Sequence, residues 1–507
     1  MHRLRFLCGV LMVAGCIPVG RAEVRLPALI GSNMVLQAGV PARIWGWADT
    51  GEVVAVSLDG ERVETVADGS GRWSVALPPR PAGGPHVLRV VGQNALELPN
   101  ILVGEVWLCS GQSQMEQGIR FVDPGWSNIN ACADQELRLF IVPRKGAFAP
   151  VDDVAGSWVV CSPKSILEGG WGGFSAIGYF FGRRLRAELG APVGMIECAV
   201  GGTPIETWMS WDTLAAEPAA DKLMEGWFVR WKRYQRDYAD LYVDPVRPGR
   251  TADGYGDFGA LTKEWKWLPA IHFNAMVAPI SPYTIKGVLW YQGYANRFTT
   301  ETYPTLFSQL VGSWRERWQD PELPFCFAEH ASFDTTDKTR DRHLLARLRE
   351  AQAQGAELPG VGMVPTYDLS NPQHLHYTNK KPVAERMAQW ALRHHYGRGD
   401  LVCSGPRLLS SAVEGDRIRL RFDAASGGRM SFNEAKPGGF TIAGADRMFV
   451  PADVTLEDGG LEVRSDAVPQ PVAVRYAWHD NPADANLRNE AGWPAAPFRT
   501  DDWPFAD

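Results

Sequence analysis

The chain has 507 residues, with 51 Lys and Arg against 58 Asp and Glu, and a formal net charge of −7. This length exceeds what one hydrophobic core usually serves, so the sequence predicts several domains. Charged residues make up 21% of the chain, and their mildly acidic balance, without any basic run, argues against nucleic acid as a partner.

The first 22 residues have the pattern of an export signal. A basic start, Met1–Arg5, is followed by an apolar stretch, Phe6–Val19, and by small residues before Glu23. This order is typical of a secretory signal and predicts an exported protein, periplasmic or extracellular. The segment Val13–Cys16 also fits a lipoprotein cleavage site, so the sequence allows either soluble export or a lipid anchor at Cys16. No later run reaches the roughly 18 apolar residues of a transmembrane span.

Residues 23–100 predict a β-rich domain, because short strand-like runs alternate with turns rich in Gly and Asp. The predicted strands are Ala42–Trp47, Val53–Leu58, Trp73–Leu77 and His86–Val91. Alternation returns in residues 402–507, where the predicted strands are Arg417–Phe422, Leu461–Arg464 and Val472–Trp478. The sequence therefore predicts a second β-rich domain at the C-terminus.

Residues 101–401 have a different pattern, in which short apolar runs alternate with amphipathic segments. The apolar runs are Glu105–Ser110, Val193–Val200, Lys286–Tyr291, Pro324–Ala328 and Gly360–Tyr367. Such runs are typical of parallel strands buried on both faces, and Ala176–Leu189 and Tyr303–Trp318 have the period of helices that cover a sheet. We therefore predict an α/β domain over 101–401, with an insertion near 211–268.

Cysteines follow the predicted signal at wide spacing, without a metal-binding pattern. Cys109, Cys198 and Cys326 lie in predicted strands, where buried thiols are expected. If a disulfide forms, Cys132 and Cys161 are the expected pair.

Residues with catalytic chemistry follow the predicted parallel strands, at the edge where open α/β sheets bind ligands. They are Ser113 in Ser110–Glu116, the pair Gly201 and Gly202, Gln292 with Asn296, and Asp368 followed by His374 and His376. A hydroxyl nucleophile, backbone amides, side-chain amides and an imidazole are the groups of an acyl-transfer site.

Each of these residues also has a structural explanation. Ser113 and the glycine pair are common turn residues, and Gln292 and Asn296 are common capping residues. His374 and His376 share one face of an extended segment, as a metal pair does, but the sequence offers no third ligand. Only their shared placement after successive strands favours catalysis.

Several motifs along the chain resemble one family. They are Leu26–Gln37, Gly104–Ser113, Gly201–Trp208, Lys286–Gly293 with Asn296, Leu348–Gln352 and Val474–Asn481. Together they resemble the sialate O-acetylesterase family of SGNH-type hydrolases, and the likeness spans nearly the whole chain after residue 22. The resemblance implies a three-layer SGNH-hydrolase-like domain with a parallel sheet, flanked by the two β-rich domains.

The resemblance also implies roles for individual residues. Ser113 is the expected nucleophile and His376 the expected general base. The expected oxyanion donors are the backbone amides of Ser113 and of Gly201 or Gly202, with the side chains of Gln292 and Asn296. No metal and no organic cofactor is expected.

The chain departs from the family pattern at residues near the expected site. Gln114 stands where the family has Asn, and Tyr294-Ala295 stand where it has Glu-Ser. We expect Gln114, Tyr294 and His374 to line the substrate pocket. The acidic residue that commonly precedes the catalytic histidine is missing, so either Asp368 or a backbone carbonyl orients His376.

The implied activity is release of acetate from O-acetylated glycans. Plant cell-wall xylan or xyloglucan and O-acetylated sialic acid remain alternative substrates, and the neutral glycans are slightly favoured. The 20 tryptophans suit sugar stacking as well as core packing. Two other functions stay open: a catalytically weakened glycan-binding protein on an esterase scaffold, and a secreted peptidase or lipase.

Overall fold

The computed structural model describes residues 23–221, 225, 265–334, 343–423, 429–432, 436–457 and 460–504. The predicted signal and most of the predicted insertion lie outside these residues. None of the described helices combines the length and the apolar composition that crossing a bilayer requires.

The protein is a mixed α/β structure with a large, mostly parallel sheet and additional β-rich regions at both ends. Strands β1 to β7 are Val35–Gln37, Ala42–Trp47, Val53–Leu58, Glu61–Val66, Arg72–Leu77, Gly83–Val91 and Ala95–Gly111. Strands β8 to β13 are Asp134–Ile141, Val159–Cys161, Val193–Ala199, Gly287–Tyr291, Phe325–Ala328 and Val361–Val364. Helices α1 to α7 are Ser113–Glu116, Gly125–Asn130, Ala176–Leu189, Trp211–Ala215, Tyr303–Trp318, Leu344–Gly355 and Lys381–His395.

The central sheet has the strand order β13-β12-β11-β7-β10-β8-β9, and all neighbours are parallel except β8 and β9. Strand β7 is 17 residues long and belongs to two regions. Its first part pairs antiparallel with β6, and its second part pairs parallel with β10 and β11. The N-terminal β-rich region is thus continuous with the sheet that carries the candidate site.

Helices cover both faces of the central sheet. Alternate residues of β11 belong to different apolar clusters, with Trp290 in one and Leu289 in the other. The first cluster contains apolar side chains of α5 and α6, and the second contains those of α3 and α7. Strands β10 to β12 are buried throughout, as expected for parallel strands covered on both faces.

The C-terminal β-rich region has its own apolar cluster and two four-stranded antiparallel sheets. Its strands β14 to β23 are Leu408–Glu414, Arg417–Phe422, Met430–Ser431, Phe440–Ala443, Val450–Pro451, Asp453–Glu457, Gly460–Arg464, Ala473–Tyr476, Arg488–Asn489 and Phe498–Arg499. Tyr367, just after β13, contributes to this cluster and connects the region to the central sheet.

The cysteines of the described residues are free and buried. Cys109, Cys198 and Cys326 lie fully buried in strands, in agreement with the sequence. Cys132 and Cys161 are neighbours, and the Cys161 thiol donates to the Cys132 carbonyl at 3.2 Å. They are the pair expected if a disulfide forms, and both are free thiols here.

Candidate active site

The loops that follow β7, β10 and β11 meet at the carboxyl edge of the central sheet and enclose a cavity of about 1050 Å³. Ser113, Gly201, Gly202, Tyr294, Asn296 and His376 line this cavity. Ser113 and His376 thus line the same cavity, although 263 positions separate them in the chain.

Ser113 is the first residue of α1 and follows a sharp turn at the end of β7. Gly111, the last residue of β7, has φ of +128°, and a Cβ atom there would lie 2.3 Å from the Tyr291 carbonyl oxygen. Only glycine fits this close approach of β7 and β11. The Gln112 N–H donates to the same carbonyl at 2.9 Å, so the turn presents Ser113 at a fixed point of the cavity wall.

His376 lies in the loop before α7 and is partly buried. Its ring meets the edge of Trp171 at 4.9 Å between centroids, and its Nε2 has no hydrogen-bond partner among the described residues. Burial, with a smaller contribution from Lys380, lowers the pKa of His376 below its ordinary value of 6.5. A neutral imidazole whose ring nitrogen has no hydrogen-bond partner can accept a proton near neutral pH.

The loop that carries His376 is tied to the turn that carries Ser113. Gln114 Nε2 donates to the Leu375 carbonyl, and Gln114 Oε1 accepts from Lys380 Nζ. Gln114 is 2% exposed and does not line the cavity, so its side chain lies elsewhere than expected. His374 is exposed and also lies outside the lining, whereas Tyr294 belongs to it.

Asp368 follows β13, as expected, but its carboxylate faces arginines. Arg386 donates to its two oxygens at 2.7 and 2.8 Å, and Arg488 forms an ion pair with it at 3.1 Å. Burial opposes the charge, yet these arginines outweigh it and lower the pKa of Asp368. The contacts described for Asp368 do not include His376, so the structure does not bring these two residues together.

The expected side-chain donors of the oxyanion site are engaged in other bonds. Gln292 Nε2 donates to the Thr203 carbonyl at 3.1 Å and to Asn296 Oδ1 at 2.7 Å. Asn296 Nδ2 donates to Glu206 Oε2 at 3.0 Å. Both amides therefore support the loops around the cavity, although Asn296 also lines it.

The backbone N–H groups near Ser113 differ in whether they already have a hydrogen-bond acceptor. The Gly201 N–H donates to Glu116 Oε2 at 2.6 Å. The N–H groups of Ser113 and Gly202 have no acceptor among the described residues, and Ser113 opens a helix, where N–H groups lack an intrahelical partner. These two amides are the available donors for a negatively charged oxygen beside Ser113.

Comparison with known proteins identifies relatives that are named as esterases. Residues 260–393 match the family model described as carbohydrate esterase, sialic acid-specific acetylesterase. The sialate O-acetylesterases of Mus musculus and Rattus norvegicus are 27% and 28% identical, over 94% and 79% of this chain and the same shares of those proteins. The crystal structure of a carbohydrate acetylesterase from Xanthomonas citri is 34% identical, with a TM-score of 0.82, over 95% of this chain and all of that one.

The chain belongs to the sialate O-acetylesterase family. It is therefore a carboxylic ester hydrolase, as the sequence motifs predict. The glycan-binding alternative is not favoured, because these relatives bear esterase names.

Several residues that the sequence did not predict as site residues also line the cavity. They are Glu116, Arg144, Trp171, Glu206, Lys266, Trp267, Arg297 and Phe298. Glu116 stands three positions after Ser113 in the same motif, so the sequence alone could have indicated it. The others come from loops whose approach to the cavity depends on tertiary structure.

Proposed function

We propose that this esterase releases acetate from O-acetylated glycans through an acyl-enzyme formed on Ser113. The observation that carries the proposal is that Ser113 and His376 line one cavity, while burial lowers the pKa of His376 and its Nε2 has no hydrogen-bond partner among the described residues. A serine hydroxyl is a weak nucleophile until a base takes its proton, and His376 is the base that borders the same cavity.

The proposed reaction has two halves. His376 accepts the Ser113 proton as the oxygen attacks the acetyl carbonyl, and it then protonates the sugar hydroxyl that leaves. Water, deprotonated by His376, attacks the acetyl-enzyme, and acetate departs as Ser113 recovers its proton. In both halves the N–H groups of Ser113 and Gly202 stabilise the oxyanion.

A carboxylate is not part of the proposed catalytic set. Both oxygens of Asp368 are paired with arginines, so we leave this residue out of the mechanism. The hydrogen bond from Gln114 to Leu375 and the edge of Trp171 instead limit the movement of His376.

The proposed substrate is an O-acetylated glycan, either of the plant cell-wall xylan or xyloglucan type or sialic acid. The cavity wall contains the rings of Trp171, Trp267, Tyr294 and Phe298, and aromatic faces pack well against the C–H faces of sugars. Its volume of about 1050 Å³ leaves room for sugar units beside the acetyl group.

The test is acetate release from 4-nitrophenyl acetate, acetylated xylo-oligosaccharide, acetylated xyloglucan and O-acetyl-sialic acid. Ser113→Ala and His376→Ala should each abolish release in folded protein. His374→Ala is the matched control, because this exposed imidazole lies two residues away and outside the cavity lining. Release that persists in Ser113→Ala would refute the mechanism, and the preferred acetate would identify the substrate.

Three further features stay proposals from the sequence. They are the SGNH-type three-layer classification, the domain boundaries at 23–100, 101–401 and 402–507, and export with or without a lipid at Cys16. Mass spectrometry of the mature N-terminus would distinguish cleavage after residue 22 from lipidation at Cys16.

A further inference from the structure

The two glycines beside Ser113 are held by three side chains from two other segments. The Gly201 N–H donates to Glu116 Oε2 at 2.6 Å, and the Gly201 carbonyl accepts from Lys266 Nζ at 2.9 Å. The Gly202 carbonyl accepts from Trp267 Nε1 at 2.6 Å. Of the backbone polar groups of this pair, the Gly202 N–H is the one with no acceptor among the described residues.

Glu116 connects this glycine pair to the nucleophile. It is the last residue of α1, which begins at Ser113, and it is 3% exposed. Its second oxygen, Oε1, accepts from Arg144 Nη1 at 2.7 Å. A Cβ atom on Gly201 would lie 2.9 Å from Glu116 Oε2 and 3.3 Å from Ser113 Cβ. Gly201 therefore lies close to both the Glu116 carboxylate and Ser113, with no room for a side chain between them.

A carboxylate beside an oxyanion site needs an explanation, because its charge opposes the charge that develops on the substrate oxygen. Burial raises the pKa of Glu116, and the Arg144 guanidinium opposes that rise. The ion pair neutralises the carboxylate locally, so that Glu116 can accept a strong hydrogen bond at little electrostatic cost to the transition state.

We propose that Glu116 is a positioning residue that fixes the Gly201–Gly202 turn, so that the Gly202 N–H points at the oxyanion formed on attack by Ser113. Arg144 supports this function by neutralising the carboxylate. The inference rests on the proposed function, since an oxyanion forms only if Ser113 attacks an ester. It assigns Glu116 an effect on the transition state rather than on substrate binding.

The test compares Glu116→Ala and Glu116→Gln with 4-nitrophenyl acetate as substrate. Glu116→Ala removes the acceptor of the Gly201 N–H, so kcat should fall by about 10²–10³, as for loss of one oxyanion donor, with KM changed less than about threefold. Glu116→Gln keeps an acceptor oxygen of similar reach, and we expect it to restore kcat to within about tenfold of the unaltered enzyme. Glu64→Ala, in an exposed ion pair with Arg62, is the control and should be unchanged.

A second readout separates positioning from general loss of structure. A boronic acid forms a tetrahedral adduct with an active-site serine and so resembles the transition state. The affinity of the enzyme for phenylboronic acid should therefore fall in proportion to kcat across the Glu116 variants. If Glu116→Ala does not fold, Glu116→Asp takes its place, because the shorter side chain keeps the charge but withdraws from Gly201. Melting curves of every variant accompany the kinetics.

The inference is overturned if folded Glu116→Ala, or Glu116→Asp in its place, has unaltered kcat. It is equally overturned if Glu116→Gln loses as much kcat as Glu116→Ala, or if boronate affinity does not follow kcat. Activity that survives Ser113→Ala would instead refute the proposed function itself, so the two failures are distinguishable.

Discussion

A buried hydrogen bond between Gln114 and Lys380 joins the turn that carries Ser113 to the loop that carries His376, and its removal should be measurable in both stability and rate. Lys380 is 0% exposed and Gln114 is 2% exposed. Gln114→Leu would keep the side-chain volume approximately but leave the Lys380 amine and the Leu375 carbonyl without this partner. A buried polar group without its partner costs about 1–3 kcal/mol, and more if charged, so we expect a loss of roughly 2–5 kcal/mol.

A double-mutant cycle tests this origin of the loss. Lys380→Met removes the amine itself, so the double variant Gln114→Leu with Lys380→Met leaves only the Leu375 carbonyl unpaired. It should be more stable than Gln114→Leu alone, because replacing both partners by apolar groups costs less than removing one. Calorimetry should show a midpoint roughly 2–5 °C lower for Gln114→Leu and a smaller decrease for the double variant.

The same substitution should slow the reaction, because His376 follows the carbonyl that Gln114 holds. A misplacement of about 1 Å at a catalytic group can cost about 10²-fold in rate. Gln309→Leu is the control, since Gln309 makes an exposed hydrogen bond to Glu217 far along the chain from either loop. A double variant no more stable than Gln114→Leu, or Gln114→Leu with unaltered kcat, would refute the reasoning.

Three further predictions concern pH and substrate. Because the pKa of His376 lies below 6.5 and the neutral ring is the proposed base, kcat/KM should be constant at neutral pH and fall only in mild acid. Lys380→Met removes an amine that helps to lower this pKa and should move that fall to higher pH. Burial raises the pKa of Glu197 from 4.5 to about 8. The contribution of the protonated Glu197 carboxyl to folding stability is therefore complete below pH 4.5 and is lost as pH rises toward 8. The melting temperature of the unaltered protein should accordingly decrease from pH 6 to 9 more steeply than that of Glu197→Gln. Phe298, 60% exposed on the cavity wall, should contribute to sugar binding, so Phe298→Ala should lower kcat/KM for acetylated oligosaccharide by about 3–10-fold and leave 4-nitrophenyl acetate unaffected. Leu409→Ala, with similar exposure on β14, is its control, and equal effects of the two would contradict this role.

Much of the fold could be predicted because local sequence determines it. The bounds of α3 and α5 coincide with the predicted helices, and α3 begins at a capping Ser175 and ends at Gly190 with φ of +61°. Strand β8 was missed, because its sequence begins with the polar residues Asp134 to Glu136 and lacks a continuous apolar run. Its place between β10 and β9 is a tertiary property that no short window contains.

The sequence predicts the location of the site, but it does not predict which hydrogen bonds and ion pairs the side chains make there. Placement after successive strands was enough to bring Ser113 and His376 to one edge, since parallel strands end together. Asp368 also follows a strand, but its partners are Arg386 on α7 and Arg488 in the C-terminal β-rich region. The direction of a carboxylate depends on such distant cations, and sequence order alone does not reveal them.

The short helix α1 shows why positioning and chemistry are inseparable in this site. Successive helical residues point about 100° apart, so four residues in one turn face four directions. Ser113 faces the cavity, Gln114 bonds to the histidine loop, Met115 is 0% exposed in the core, and Glu116 bonds to Gly201. The proposed nucleophile, the loop of its proposed base and the proposed oxyanion donor are thus all attached to one helical turn. A side-chain change in α1 should consequently alter kcat more than KM, even where it never touches substrate.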